Sequence, residues 1–425
     1  MKRFYYFITL YMLILSARAS VISSTDVFWF ILELILLVVA LRKKLFSTKD
    51  VKVLVIFTLF YVGLILFRNL FNKLSGEYIS SDLIFLGKFL YTTFLYCIVL
   101  KEKTLHYITK VVTHLAVLSL ILYPVQLADS GIITAIGSVF DLFSLSIHSA
   151  VGGYNNFLFF TVYDAHATRN CGFSWEPGAY ACILALVMLF ALLRNNFKFN
   201  KQTYIMGAAL ITTISTTGYI MLLIMIILKV LNSSKDRGKL VYAIPVVLVL
   251  ILVFVNSPVL YNKILSAYNT DMQNSTDYDN LQDYYSQSNA TIPLNRFASF
   301  IQIFITFKYQ LLLGVGNKYG QILNKNYSFN ISNGIADGLA RFGLLGMILY
   351  LWYYMKLVSR YTRVTMNKVL IIIFLLALFF GEPLLSVPVF MFFAIYPMLY
   401  TGTGILENKK KVLKPQQQLI QQVSN

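Results

Sequence analysis

The sequence predicts an all-α polytopic membrane protein, with about 12 transmembrane helices and two long external loops that carry amphipathic helices. Three observations predict it. Hydrophobic residues make up 58% of the 425 positions and charged residues only 13%, where soluble domains hold roughly 45–50% and about 25%. The apolar runs are roughly 13–19 residues long, enough or nearly enough to cross a hydrocarbon core of about 30 Å as a helix. The basic residues gather between those runs on one side, as the excess of cytoplasmic Lys and Arg in membrane proteins requires.

Taken in order, the first run, 4–18, follows Met1-Lys2-Arg3. Its Ala17-Arg18-Ala19 end also has the look of a signal-peptide cleavage site; we read it as an uncleaved first helix. Runs at 27–41, 53–67, 83–100 and 108–123 follow. A sixth, 178–193, begins just after Pro177, whose missing N–H costs nothing at a first helical position. The stretch "TYIMGAALITTISTTGYIMLLIMIILKVL" (203–231) is too long for one ordinary span, and both its flanks are basic. Two short helices, 203–215 and 217–231, meeting outside near "STTG" keep both flanks cytoplasmic. The remaining runs are 240–256, 338–356, 368–381 and 389–404. With both termini inside, the inner loops hold 25 of the 36 Lys and Arg residues, and 13 of the 18 acidic residues fall outside. Topology therefore accounts for the net charge of +18, and nucleic acid is not needed as a partner. Residues 1–404 form the membrane domain, and 405–425, ending "PQQQLIQQVSN", form a polar cytoplasmic tail expected to be disordered.

The external loops span about 124–176 and 257–337. The first contains "GIITAIGSVFDLFSLSIHS", mildly amphipathic and suited to the interface. The second passes from a Tyr/Asn/Asp/Ser-rich stretch (268–291) to the amphipathic "RFASFIQIFITFKYQ" (296–310). Transporters place ionisable groups near the bilayer midplane, and here the midspan ionisable residues are few: Glu33 and, further out, Lys88. The chemistry-capable groups sit instead on the outer loops and outer helix ends. That favours an enzyme at the external membrane face over a transporter. Cys97, Cys171 and Cys182 offer neither a disulfide framework nor metal-ligand spacing, and no metal or other cofactor is expected.

Four outer stretches carry the candidate residues. "RNCGFSWEPGAY" (169–180) sets Arg169, Trp175 and Glu176 before the sixth run. A helix dipole alone explains a carboxylate at Glu176, but not the cation and the indole beside it. "LNRFASF" places Arg296 at the head of the amphipathic segment, followed by "LLLGVGNKYG", a glycine-rich turn without the strand or the Gly-Lys-Ser/Thr of a phosphate loop. "ISNGIADGLARFGLLG" (331–346) sets Asn333, Asp337 and Arg341 at i, i+4 and i+8, one stripe of a helix. "FFGEPLLSVP" (379–388) repeats the Glu-Pro pair, with Glu382 read as a solvated turn carboxylate.

The order of these stretches resembles the O-antigen ligase/polymerase superfamily, and Wzy-type polysaccharide polymerases in particular. The shared order is R-x-x-G-x-x-x-E-P before a span and a span split at a Ser/Thr-Gly turn. It continues with a long outer loop containing an Arg and then "GVGNKYG", and closes on N-G-x-x-D-G-L-A-R-F-G-L-L-G. The resemblance covers roughly 165–360. Ligases of that superfamily typically carry a His-Asn pair before the "GLLG" segment. Here that place reads Ser332-Asn333, which leans toward the polymerase.

The resemblance implies a bacterial cytoplasmic-membrane protein acting on oligosaccharide repeat units borne on a polyprenyl pyrophosphate, with membrane lipids, a flippase and a chain-length regulator as partners. An O-antigen-ligase-like glycan transferase and, from another class, a flippase or exporter of lipid-linked oligosaccharide remain alternatives at this point. For such a substrate Arg169, Arg296 and Arg341 are the expected pyrophosphate ligands, because guanidinium forks suit phosphate oxygens. Glu176, then Asp337, is the expected general base, with Trp175 and Asn333 as further substrate contacts. Tyr180, Tyr284 and Tyr285 are candidates for stacking on sugar faces, and His148 and His166 lie in the same loop as Arg169.

Overall fold

A computed structural model describes residues 1–74, 76–141, 147–149, 154–163, 166–233, 269, 292–294, 296–320 and 329–400. Helices follow the apolar runs: α1 (Lys2–Ser16), α2 (Val21–Ser24), α3 (Asp26–Arg42), α4 (Thr48–Asn72), α5 (Gly76–Phe85), α6 (Thr92–Leu100), α7 (Thr104–Ala128), α8 (Ser130–Asp141) and α9 (Pro177–Arg194). They continue as α10 (Lys201–Thr212), α11 (Thr216–Ser233), α12 (Arg296–Phe307), α13 (Gly334–Val358), α14 (Thr365–Gly381) and α15 (Pro388–Leu399). A π-helical turn, Leu86–Tyr91, joins α5 to α6. The chain is a membrane protein: Thr48–Asn72, the nearly continuous Gly76–Ala128 stretch, Pro177–Arg194 and Gly334–Val358 are long and apolar enough to cross a bilayer. The expected ninth run, 240–256, the polar stretch 268–291 and the tail 405–425 lie outside the described residues, apart from Asn269.

Helices that are apolar all round belong in an interior, and α6, α9 and α15 occupy it. Every residue of Thr92–Leu100 is buried, as is all of α9 but Arg194. Phe190 of α9 stacks on Phe393 of α15 with ring centroids 4.4 Å apart. Around this centre α9 packs against α7, α10, α11 and α14, while α15 packs against α6 and α13. At the periphery α4 exposes Leu59, Phe67 and Leu70, as a helix facing lipid does. The long apolar run breaks into two helices as expected, with Ile214 in the left-handed region (φ 48°) between α10 and α11.

Two short sheets were not foreseen. β1 (Ile147–Ser149), β2 (Tyr154–Asn156) and β3 (Thr161–Tyr163) form an antiparallel meander. β4 (Ile292–Leu294) pairs in parallel with β5 (Phe329–Ile331), Leu294 opposite Ile331. This second ladder sets the residues that follow its strands, Arg296 and Asn333, side by side.

A third feature ties the glycine motifs together. α13 is kinked at Gly343 (φ 69°, ψ 176°), and Gly314 (φ 76°) docks against that kink. A Cβ on Gly314 would lie 2.5 Å from Gly343 N and 2.8 Å from the Arg341 carbonyl oxygen. Val315 N donates to Ala340 O at 2.6 Å. The "LLLGVG" and "ARFGLLG" stretches are thus two halves of one backbone joint, which only residues without a Cβ can close.

Candidate active site

The segment 167–172 is pinned to the end of the bundle where α10 terminates. Tyr123 and Gln126 of α7 donate to the carbonyls of Thr168 (2.8 Å) and Ala167 (2.7 Å). Asn170 N donates to Thr212 O at 3.1 Å, and Asn170 Nδ2 to Thr212 Oγ1 at 2.9 Å. Gly172 then turns the chain at φ 52°, packed so closely on the Tyr180 ring that a Cβ would sit 2.5 Å from its Cε1. Arg169 is held by its own Nε, which donates to Thr213 O at 3.0 Å. Its charged neighbours are Glu176, Arg296 and Glu382, and burial lowers its proton affinity. The guanidinium stays protonated regardless.

Glu176 is the residue before α9, with Pro177 at the first helical position; its side chain makes no capping bond. The carboxylate is therefore free of the ordinary structural duty the sequence allowed for it. Glu176, Trp175 and Arg169 are all half-buried. Across from them Arg296 Nη2 meets Glu382 Oε1 at 2.8 Å, the guanidinium 38% exposed and the carboxylate 4%. Burial pushes the Glu382 carboxyl well above the usual carboxylate range, and the Glu176 carboxyl adds to this by its charge and by a hydrogen bond; Arg296 opposes it. Two carboxyls in contact share a proton rather than both ionise. The buried Glu382 is the one that retains it.

Close approach explains the glycines here. A Cβ on Gly178 would strike Glu382 Oε1 and lie 3.6 Å from Arg296 Nη2; one on Gly334 would overlap the Phe379 and Glu382 carbonyl oxygens. Asn333 anchors the assembly from below. Its Oδ1 accepts from Ile335 N (2.9 Å) and Ala336 N (3.1 Å), capping α13, and its Nδ2 donates to Arg296 O at 3.0 Å. Fully buried, Asn333 positions Arg296 instead of presenting an amide to a ligand.

Asp337 and Arg341 lie one and two turns further along α13, in a second network. Arg341 Nε donates to Asp337 Oδ1 (2.7 Å) and its Nη1 to Asn317 Oδ1 (2.8 Å); Tyr319 OH also donates to Asp337 Oδ1 (2.7 Å). Asn317 donates through N and Nδ2 to Asp82 Oδ1, at 2.9 and 2.7 Å, while Arg68 bonds Asp82 Oδ2. The i, i+4 pair is present, but it faces the glycine joint, and no hydrogen bond or ion pair among the described residues connects it to Glu176.

The cluster therefore unites Arg169, Glu176 and Arg296, with Trp175 beside Glu176 in the chain, and adds Glu382, which the sequence reading left as a solvated turn carboxylate. The repeated Glu-Pro pair was the available signal; its burial comes from Gly178 and Gly334, far away in the chain. Tyr180 is a correction. It is fully buried, with its hydroxyl 2.8 Å from Ser119 Oγ, so it cannot stack on a sugar. Tyr284 and Tyr285 lie outside the described residues. His166 is half-buried with its ring edge-on to Tyr163. Among the described residues no group of three or more His, Cys, Asp or Glu side chains is placed to hold a metal ion.

With this geometry in hand, comparison with known families gives one match. The family model described as O-antigen ligase covers residues 203–351, within the superfamily that the motif order resembles. The matched segment includes Arg296, Asn333, Asp337 and Arg341, whereas Arg169, Glu176 and Glu382 lie outside it. No curated protein and no solved structure matches the chain.

Proposed function

We propose, taking as premise that residues 203–351 place this membrane protein with the O-antigen ligase/polymerase superfamily, that it is a polysaccharide polymerase. It joins oligosaccharide repeat units carried on polyprenyl pyrophosphate at the outer face of the cytoplasmic membrane. The observation that carries this reading is the convergence of Arg169, Glu176, Arg296 and Glu382 from three separate stretches of chain.

The step follows from the charges. A hydroxyl of the acceptor sugar attacks the anomeric carbon of the donor. A new C–O bond forms as the bond to the pyrophosphate oxygen breaks, and the lipid pyrophosphate leaves with the electron pair. Arg169 and Arg296 offset the negative charge that builds on it, through charge-assisted hydrogen bonds of the kind guanidinium makes best with phosphate. The hydroxyl proton passes to Glu176. General-base assistance is typically worth about 10²–10⁴-fold. The protonated Glu382 keeps the second negative charge out of the cluster, and the half-buried Trp175 offers a face for a sugar ring.

The family description also favours a second reading, a ligase that transfers finished glycan to another acceptor. Against it stands Asn333, whose neighbour Ser332 occupies the place of the ligase histidine. Cells in which the gene is replaced by Arg169→Ala, Arg296→Ala or Glu176→Ala separate these readings, given equal membrane levels. The polymerase reading predicts external lipid-linked single units that are not extended. Full-length glycan stranded on lipid indicates the ligase, units trapped on the inner leaflet indicate a flippase, and normal long chains in all three remove the site.

A further inference from the structure

A cavity of about 440 Å³ lies beside the second network, lined by side chains from four parts of the chain. Three of its residues are cations: Arg18, Lys88 and Arg341. Ser16, Ser23 and Ser24 add hydroxyls, and Trp29 and Phe89 give it an apolar wall. Lys88 is paired with Asp26, and Arg341 with Asp337. Arg18 has no ion pair among the described residues; its Nη2 donates to the neutral Ser386 Oγ at 2.9 Å. The residue is reached by solvent where it lines the cavity, and its guanidinium is a cation at neutral pH.

Arg18 stands in the left-handed region at φ 53°, just past the end of α1. Glycine is the residue that takes this conformation at the end of a helix without strain. The chain carries an arginine there instead, and its side chain belongs with the second network and not with the cluster around Glu176: the charged groups facing Arg18 are Arg341 and Asp337, with Tyr319 beside them.

Hydroxyls, an unpaired guanidinium and an apolar wall together describe a receptor for a phosphorylated amphiphile. A reaction that joins two lipid-linked chains must hold two pyrophosphate groups at once, and the Arg169–Arg296 cluster accounts for one. We propose that the Arg18–Lys88–Arg341 cavity is a second pyrophosphate-headgroup site, which seats the lipid-linked chain that does not leave. This rests on the glycosyl-transfer reading above. Arg18 and Ser16, whose hydroxyl has no other partner among the described residues, bind the phosphate oxygens, and Trp29 and Phe89 flank the first part of the prenyl chain.

The test is equilibrium binding of farnesyl pyrophosphate to the full-length protein in lipid nanodiscs, with inorganic pyrophosphate as competitor. Arg18→Gly is the informative variant, because glycine suits the backbone at that position and folding should be kept; Lys88→Met is the second. Two equivalents should bind to the unaltered protein, one to Arg18→Gly, and one to the Arg169→Ala/Arg296→Ala double variant. Lys88→Met should weaken the Arg18-dependent equivalent at least about tenfold, the scale of one lost charge-assisted contact. Two undiminished equivalents in Arg18→Gly, or only one in the unaltered protein, would overturn the proposal. Inorganic pyrophosphate competing for this equivalent as well as the farnesyl compound would overturn its assignment to a lipid. Were Arg18→Gly to bind normally while chain growth still required Arg169, Arg296 and Glu176, the second site alone would fall. If chain growth were independent of those three as well, the polymerase reading would fall with it.

Discussion

Glu382 holds a proton in contact with the Glu176 carboxyl, and this has consequences at the level of single residues. Because Glu382 is held well above its ordinary range, the folded protein keeps a proton that the unfolded chain releases near pH 4. As pH rises from there toward the raised value, stability should therefore fall, since the folded state binds more protons over that window. Thermal unfolding of Glu382→Gln, measured across the same range, should show a flatter pH profile than the unaltered protein, the amide standing in for the protonated acid. Equal slopes would mean that Glu382 is ionised. Glu176→Gln should behave in the opposite way: unfolding should change little, because the side chain makes no cap bond, while polymerisation should drop by about 10²–10⁴-fold. Gly178→Ala separates geometry from charge. Its methyl group would displace the Glu382 carboxyl from Arg296, so chain extension should be lost from a protein that still reaches the membrane at normal levels.

At the scale of elements, the helices were legible because a membrane span announces itself by apolar length alone. The break at Thr213–Ser215 was legible from the basic flanks of 203–231. The sheets were not. β4 and β5 are three residues each and lie 37 positions apart (292 to 329), so no local pattern pairs them. That ladder is nonetheless what places Arg296 beside Asn333, and hence what turned a supposed ligand, Asn333, into a cap. Similarly, the i, i+4, i+8 stripe on α13 correctly joined Asp337 to Arg341, but helical spacing cannot tell which neighbour the stripe faces. The answer lay in the joint between Gly314 and Gly343. Gly343→Ala should open that joint, because its Cβ would overlap the backbone of Leu313 and Gly314. A marked fall in thermal stability is expected, with Gly320→Ala, which meets nothing within 4 Å, as the neutral control.

For the whole molecule, the cost of assembling charges inside an apolar bundle decides where they go. Arg68 and Asp82, 3% and 0% exposed, sit where an unpaired charge is intolerable. Breaking a buried pair by removing one partner costs about 3–5 kcal/mol, whereas replacing both with apolar residues is often neutral. Asp82→Ala should accordingly destabilise the purified protein by that amount, and Arg68→Met/Asp82→Leu should recover most of it; an equal loss in both would argue that the network has a role beyond pairing. Seen this way, the chain segregates its polar groups into a closed set that fixes α13 against α4 and α5, and an open set around Glu176 that is left half-buried. Of these two sets, the open one brings a carboxylate and two guanidinium groups to the exposure that turnover requires.

The central claim is that this open set extends lipid-linked glycan, and it is tested most directly in a purified system. The protein in nanodiscs is given a repeat unit on a short polyprenyl pyrophosphate, and product length is followed on a gel. A ladder of increasing chain length should form with the unaltered protein, released lipid pyrophosphate should match each bond made, and Glu176→Gln should leave single units. A ladder of equal length from Glu176→Gln, or no ladder from the unaltered protein under conditions where it binds the substrate, would contradict the account.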